Sequence, residues 1–237
     1  MKPSAIIIGA TTGIGYELTR QYLAAGWRVG ATGRKTELLE TLRIEYPETL
    51  FVEKHDVTAP GQIGVVETLA EKLGALQVVV YNSGVGLYNK HMEWEPEAQT
   101  IQVNVTAFTE TATWAYRYFS AKGAGQFAGI SSLAALVANA AAPAYSASKA
   151  FMSLYLEALQ QKANRRKLAV YFSDIRPGYI DTPMTQGQKG MFWVISAEKA
   201  AGQIKKAIER RNKVAYIPSR WSFIARMVLL WKMLRGW

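Results

Sequence analysis

Ala5-Ile6-Ile7-Ile8-Gly9-Ala10-Thr11-Thr12-Gly13-Ile14-Gly15 is the stretch whose reading decides the fold. A short apolar run, of the length of a buried strand, breaks at Gly9, and a helical pattern follows over Gly13–Ala25. Glycines at such a strand-to-helix turn let the backbone approach a pyrophosphate, and the helix N-terminus offers amides with no partner inside the helix. Outward from this turn the pattern repeats. Apolar β-rich runs at Arg28–Thr32, Leu50–Lys54, Gln77–Tyr81, Gln126–Ile130, Ala169–Ile175 and Val214–Ile217 alternate with amphipathic stretches. The latter predict helices over Thr36–Glu45, Gln62–Leu73, Pro96–Ser120, Ala144–Ala163 and Ala197–Arg211. Alternation of this kind builds a parallel sheet covered by helices on both faces. The expected architecture is a doubly wound α/β sheet of about seven strands in the Rossmann manner. It occupies residues 1–218 as one domain, and an amphipathic helical tail follows at 219–237. Met184–Ile195, with its glycines and Met191-Phe192-Trp193 cluster, reads as a mobile insertion.

Composition narrows the function. A chain of 237 residues can bury a substantial single core. It has no cysteine, so disulfides and thiolate metal sites are excluded. Neither His55 nor His91 has a metal-ligand set around it, and both read as surface or loop residues. The net charge of +10 raises nucleic acid as a partner. The cations are dispersed, however, in clusters such as Arg165-Arg166-Lys167 and Lys205-Lys206, which suit solvated helix ends. No nucleic-acid role is expected. Met1-Lys2-Pro3-Ser4 leads straight into the first strand without a signal-peptide pattern, so the expected location is cytoplasmic.

The glycine spacing is Gly-x-x-x-Gly-x-Gly, at Gly9, Gly13 and Gly15. With the motifs that follow it, this resembles the single-domain branch of the short-chain dehydrogenase/reductase family over roughly Ser4 to Ile217. Asp56-Val57 after the third strand matches the family's adenine contact, and Asn82-Ser83-Gly84 its Asn-Ala-Gly motif, with Ser for Ala. Arg176-Pro177-Gly178-Tyr179-Ile180-Asp181-Thr182 matches the segment that folds over the nicotinamide. The resemblance therefore implies a cofactor held by Gly9, Thr11, Thr12, Gly13, Ile14, Gly15, Asp56, Val57, Asn82, Ser83, Gly84, Pro177, Gly178, Ile180 and Thr182. Gly33 stands where relatives using NAD carry an acid that would repel a 2′-phosphate, and Arg34 follows it. A guanidinium there meets a phosphate with a charge-assisted fork, which favours NADP (as NADPH) over NAD. Thr12 departs from the basic residue that NADP-using relatives often carry.

Tyr145-Ser146-Ala147-Ser148-Lys149 puts Tyr145 and Lys149 one helical turn apart on one face. Carbonyl reduction needs a hydride from one side and a proton on the developing alkoxide. A free tyrosine has a pKa near 10. The Lys149 ammonium, with the positive ring of an oxidised nicotinamide, is expected to lower it. The pair alone is a weak signal. The resemblance strengthens it: Ser132, thirteen residues before Tyr145, corresponds to the family's catalytic serine, with Ser131 the adjacent alternative. Asn104 corresponds to a fourth residue that holds a water beside the lysine, and an Asn inside a helix otherwise asks for a reason. The implied catalytic set is Asn104, Ser132, Tyr145 and Lys149. Tyr145 and Lys149 are counted with the cofactor contacts too.

The family's substrate loops here carry Val85, Leu87, Tyr88, Trp94, Leu133, Val137, Met184, Met191, Phe192 and Trp193, which favours an apolar or aromatic carbonyl or alcohol. The tail's Trp221, Phe223, Leu229, Leu230, Trp231, Leu234 and Trp237 form a large apolar surface. It is expected to be covered chiefly within a homo-oligomer, the alternatives being packing against the body of the domain and peripheral contact with a membrane surface. The alternative to an oxidoreductase is a non-catalytic NADP-binding sensor or interaction protein of the same fold, with the tail as its effector.

Overall fold

Strand β1 (Ser4–Ile8) is buried at every position, as the apolar run Ala5–Ile8 requires. The computed structural model describes residues 2–187 and 190–234. After β1 come α1 (Gly13–Ala24), β2 (Arg28–Gly33), α2 (Glu37–Glu45), β3 (Leu50–Lys54), α3 (Ile63–Leu73) and β4 (Leu76–Tyr81). The second half runs α4 (Trp94–Ile101), α5 (Phe108–Lys122), β5 (Ala124–Ile130), α6 (Pro143–Arg165), β6 (Ala169–Pro177), β7 (Ile180–Asp181), β8 (Ile195–Ser196), α7 (Ala197–Glu209), β9 (Val214–Ile217) and α8 (Trp221–Leu234). Seven strands form one sheet in the order β3-β2-β1-β4-β5-β6-β9, every pair parallel. β7 and β8 pair separately, so the segment read as an insertion is closed at its far end by a two-residue strand.

Side chains of β1 alternate between two cores, the period-two rule of a strand. Ala5 and Ile7 face Leu18, Tyr22, Leu39, Ile204 and Ile208, on α1, α2 and α7. Ile6 and Ile8 face Val66, Leu69, Phe108, Met152 and Leu156, on α3, α5 and α6. Each fully buried Leu or Ile contributes about 1.5–3 kcal/mol of transfer free energy, which is why the apolar pattern determines the layers.

The structure differs from the sequence reading between α4 and α5. In place of one helix over Pro96–Ser120, a π turn at Gln102–Ala107 separates the two. The widened turn frees backbone carbonyls from the α pattern, and the Tyr81 hydroxyl donates to the Val103 carbonyl at 2.7 Å. Asn104, fully buried in this turn, reaches across to the loop after β4.

Candidate active site

β1 and β4 are neighbours at the point where the sheet's winding reverses, and the loops leaving them diverge into a crevice. A cavity of about 430 Å³ occupies it. The turn between β1 and α1 forms its floor. Gly9 (φ 82°) and Gly13 (φ 54°) adopt left-handed backbone that favours glycine. Asn82 Nδ2 donates to the Gly9 carbonyl at 2.6 Å, tying the loop after β4 to this turn. Thr12 caps α1 without a side-chain hydrogen bond, so the first-turn amides keep their capacity for an anionic ligand. The cradle fits a dinucleotide. All the residues expected to hold one line the cavity except Gly15, which packs behind the turn. A Cβ on Gly15 would lie 2.1 Å from the Gly9 carbonyl oxygen.

At the second strand's end, Gly33 and exposed Arg34 line the cavity. Among the described residues, Asp56 is its one acidic lining residue. The Thr58 amide and hydroxyl hold the Asp56 carboxyl below its ordinary range, with the Arg34 charge adding to the pull.

His55 corrects the sequence reading: it is buried, and it lines this cavity. Its ring lies 3.1 Å from the Thr32 hydroxyl and 2.9 Å from Gln62 Oε1, and Gln62 in turn donates to Glu110. Burial pushes its pKa down, against the Gln62 hydrogen bond. A neutral imidazole here ties β2 and the loop after β3 to α5. The only local signal was its place directly before Asp56-Val57 at a strand end.

Three elements bring the four expected catalytic residues together. Ser132 follows β5, Tyr145 and Lys149 lie in the first two turns of α6, and Asn104 sits in the π turn. Ser131 and Ser132 both line the first cavity but have different partners. Ser131 donates to Asp174 and to the Ile175 carbonyl, whereas Ser132 hydrogen-bonds Tyr145. Lys149 is buried, its Nζ 2.9 Å from the Ile130 carbonyl and 5.7 Å from the Tyr145 ring centre. Asn104 is clamped by both polar groups of Val85: it accepts from the Val85 amide at 3.0 Å and donates to the Val85 carbonyl at 2.8 Å. It also donates to Ser148, whose hydroxyl donates to the Tyr145 carbonyl. Asn104 does not line the cavity; it fixes the elements that do.

Burial dominates the electrostatics. It pushes the Tyr145 phenol up, and the Ser132 hydrogen bond opposes this only in part, so the expected lowering by Lys149 is not present in the protein alone. Burial also brings Lys149 from 10.5 down to about 8, with the Asp174 charge resisting. Asp174 is itself paired with Arg176 at 2.6 Å.

A second cavity, of about 550 Å³, adjoins the first. Tyr88, Leu133, Val137 and Met184 line it as expected. Val85 lines the first cavity instead, Trp94 points to solvent, and Leu87, Met191, Phe192 and Trp193 line neither. The sequence reading missed Trp221, Ile224, Ala225 and Val228, which make α8 a wall of this cavity. Their i, i+3, i+4, i+7 spacing was the available signal. Trp221 is buried against Tyr179, Phe192 and Trp193, with its indole nitrogen beside Gly178. Among the described residues, none that lines it is Asp, Glu, Lys, Arg or His.

Fold and site together define a dinucleotide-binding α/β protein. Residues 3–191 match the short chain dehydrogenase model, and the chain belongs to that family of oxidoreductases. An uncharacterized oxidoreductase from Myxococcus xanthus is 30% identical over 235 residues, 94% of this chain and 90% of the relative. The 15-hydroxyprostaglandin dehydrogenase of Rattus norvegicus, whose name specifies NAD(+), is 29% identical over 192 residues, 77% of this chain and 70% of the relative. A short-chain dehydrogenase from Sphingobium yanoikuyae, solved in complex with NADPH, superposes with a TM-score of 0.80 at 21% identity, covering 96% of this chain and 95% of its own.

Proposed function

We propose that this chain interconverts a neutral, apolar or aromatic carbonyl compound and its alcohol with NADP(H). The observation that carries the reading is that Ser132 and Tyr145 line both cavities, so one phenol faces a nucleotide-sized crevice and an uncharged pocket. A nicotinamide held over this site would supply the hydride to the carbonyl carbon in reduction, or accept it from the alcohol carbon in oxidation. Tyr145 gives the phenolic proton to the alkoxide oxygen, and takes it back in oxidation. Ser132, already bonded to that phenol, holds the substrate oxygen where negative charge develops. Lys149 places its ammonium beneath the phenol, and Asn104 holds the surrounding backbone through Val85 and Ser148. A phenol kept protonated by burial suits the reductive direction. The test is NADPH consumption across a panel of aldehydes, ketones and quinones. NADPH binding without turnover of any of them would replace this reading with that of a cofactor sensor.

The cofactor choice rests on Gly33 and Arg34, and the NADPH complex of the Sphingobium yanoikuyae relative agrees with it. Arg34→Ala is expected to weaken NADPH binding by about 1.5–3 kcal/mol, the worth of a charge-assisted hydrogen bond, and to leave NADH nearly unchanged. Titration of both cofactors against both proteins checks this, and equal losses would show that Arg34 does not read the 2′-phosphate.

Lys149 has a measurable stability signature. Its folded pKa, about 8, lies below the ordinary 10.5, so between these values the unfolded chain binds more protons. The cost of burying the ammonium is fully present below pH 8 and is relieved as the pH rises toward 10.5. Relative to Lys149→Met, the wild type is therefore expected to gain about 3 kcal/mol across that window, at 1.36 kcal/mol per pKa unit. Denaturant unfolding of both proteins at pH 7.5 and 10.5 measures the difference, and a constant gap would contradict the depressed pKa.

A further inference from the structure

Helix α8 carries two apolar stripes. Trp221, Ile224, Ala225 and Val228 face the second cavity. Phe223, Met227, Leu230 and Leu234, at i, i+4, i+7 and i+11, lie on the opposite side of the helix by its 3.6-residue period, and all four are exposed. Trp231 and Met233 extend this exposed face. An apolar patch of that kind marks an interaction surface. Its charge surroundings select the partner. No acidic residue follows Glu209, and from Ser219 onward the only charged residues are the cations Arg220, Arg226, Lys232 and Arg235. Two copies meeting through this helix would bring like charges together, whereas an anionic lipid surface complements them. No helix among the described residues is long and apolar enough to cross a membrane, which leaves α8 to lie along one.

The apolar surface is continuous with the cavity. Phe192 and Trp193, both partly exposed, pack on Trp221 with ring centres 5.0 and 5.3 Å away. Tyr88, Val137 and Met184 line the cavity and are also exposed, which makes them its rim. We infer that α8 docks this protein on an anionic bilayer interface, with its inner stripe walling a cavity that receives a neutral lipophilic substrate from the lipid. The docking stands on surface and charge alone; only the substrate's origin rests on the proposed reductase reading.

The test is co-sedimentation of the full chain with phosphatidylglycerol vesicles and with phosphatidylcholine vesicles at low salt. Beside it run size-exclusion chromatography with light scattering and a thermal melt. The wild type is expected to pellet with phosphatidylglycerol at least tenfold more than with phosphatidylcholine, and to be released by high salt. Met227→Glu/Leu230→Glu alters only the exposed stripe; it is expected to stay in the supernatant with an unchanged melt. Three results would overturn the inference: a wild type that never pellets, a variant that pellets like the wild type, or a wild-type oligomer without lipid binding that the variant splits into monomers. The last would make a second copy the partner. NADPH turnover of a soluble carbonyl, unchanged in the variant, keeps a failure of docking separate from a failure of the enzyme assignment.

Discussion

Tyr145→Phe is expected to lower turnover by about 10²–10⁴-fold, the usual contribution of a positioned general acid, while NADPH binds nearly as in the wild type. The substitution removes one oxygen from a side chain whose ring stays packed: a Cβ on Gly86 would lie 3.0 Å from the Tyr145 ring, so the ring is held from that side whether or not the hydroxyl is present. Lys149 keeps its bond to the Ile130 carbonyl, and Ser132 keeps its acceptance from the Ala134 amide. What disappears is the proton on the atom that faces both cavities. Single-turnover measurements with saturating NADPH, together with a cofactor titration, separate these effects. A variant retaining more than about a tenth of wild-type turnover, far above the range for a lost general acid, would remove Tyr145 from the role.

Gly15→Ala is expected to be the most damaging single methyl group that can be added to this chain's cofactor turn. Its Cβ would meet the Gly9 carbonyl oxygen at 2.1 Å, Asn82 Nδ2 at 2.6 Å and the Ala10 Cα at 3.0 Å. Two of these are backbone atoms, and the third belongs to the side chain that bonds the Gly9 carbonyl. Relief therefore requires moving the turn itself, which costs about 1–3 kcal/mol or more in a well-packed site. The same movement displaces the amides at the start of α1, so we expect NADPH affinity to fall by at least two orders of magnitude. Gly64→Ala is the control. Gly64 lies in α3 with nothing within 4 Å of an added Cβ, and the change should stabilise by about 0.5–1 kcal/mol through helix propensity. Unfolding curves and cofactor titrations on both variants decide the matter; a Gly15→Ala protein with wild-type stability and affinity would show that the turn tolerates a side chain.

The amino-acid sequence by itself determined the layers and the order of the sheet's parts. Parallel strands buried on both faces must be continuously apolar, and the helices that cover them must be amphipathic, so the two periods are written directly into the chain. The glycine turn, Asn82-Ser83-Gly84 and the Tyr145–Lys149 spacing were legible for the same reason: each is a local constraint, met within a few residues. Tertiary structure decided what depends on neighbours distant in sequence. Burial of His55 follows from Thr32 on β2 and Gln62 before α3, residues that its own surroundings do not announce. The π turn at Gln102–Ala107 exists where Tyr81 and Val85 meet the helix, and no propensity encodes that meeting. The different partners of Ser131 and Ser132 also depend on distant residues: Asp174 takes the Ser131 hydroxyl. In the protein alone, burial raises the Tyr145 phenol, because a spacing of four reports the nearby charge but not the desolvation around it. The tail's residues 235–237, Trp237 among them, lie outside the described residues. For the rest of the tail, composition revealed an apolar helix, and only packing showed that its two sides differ: one walls the second cavity, and the other is exposed.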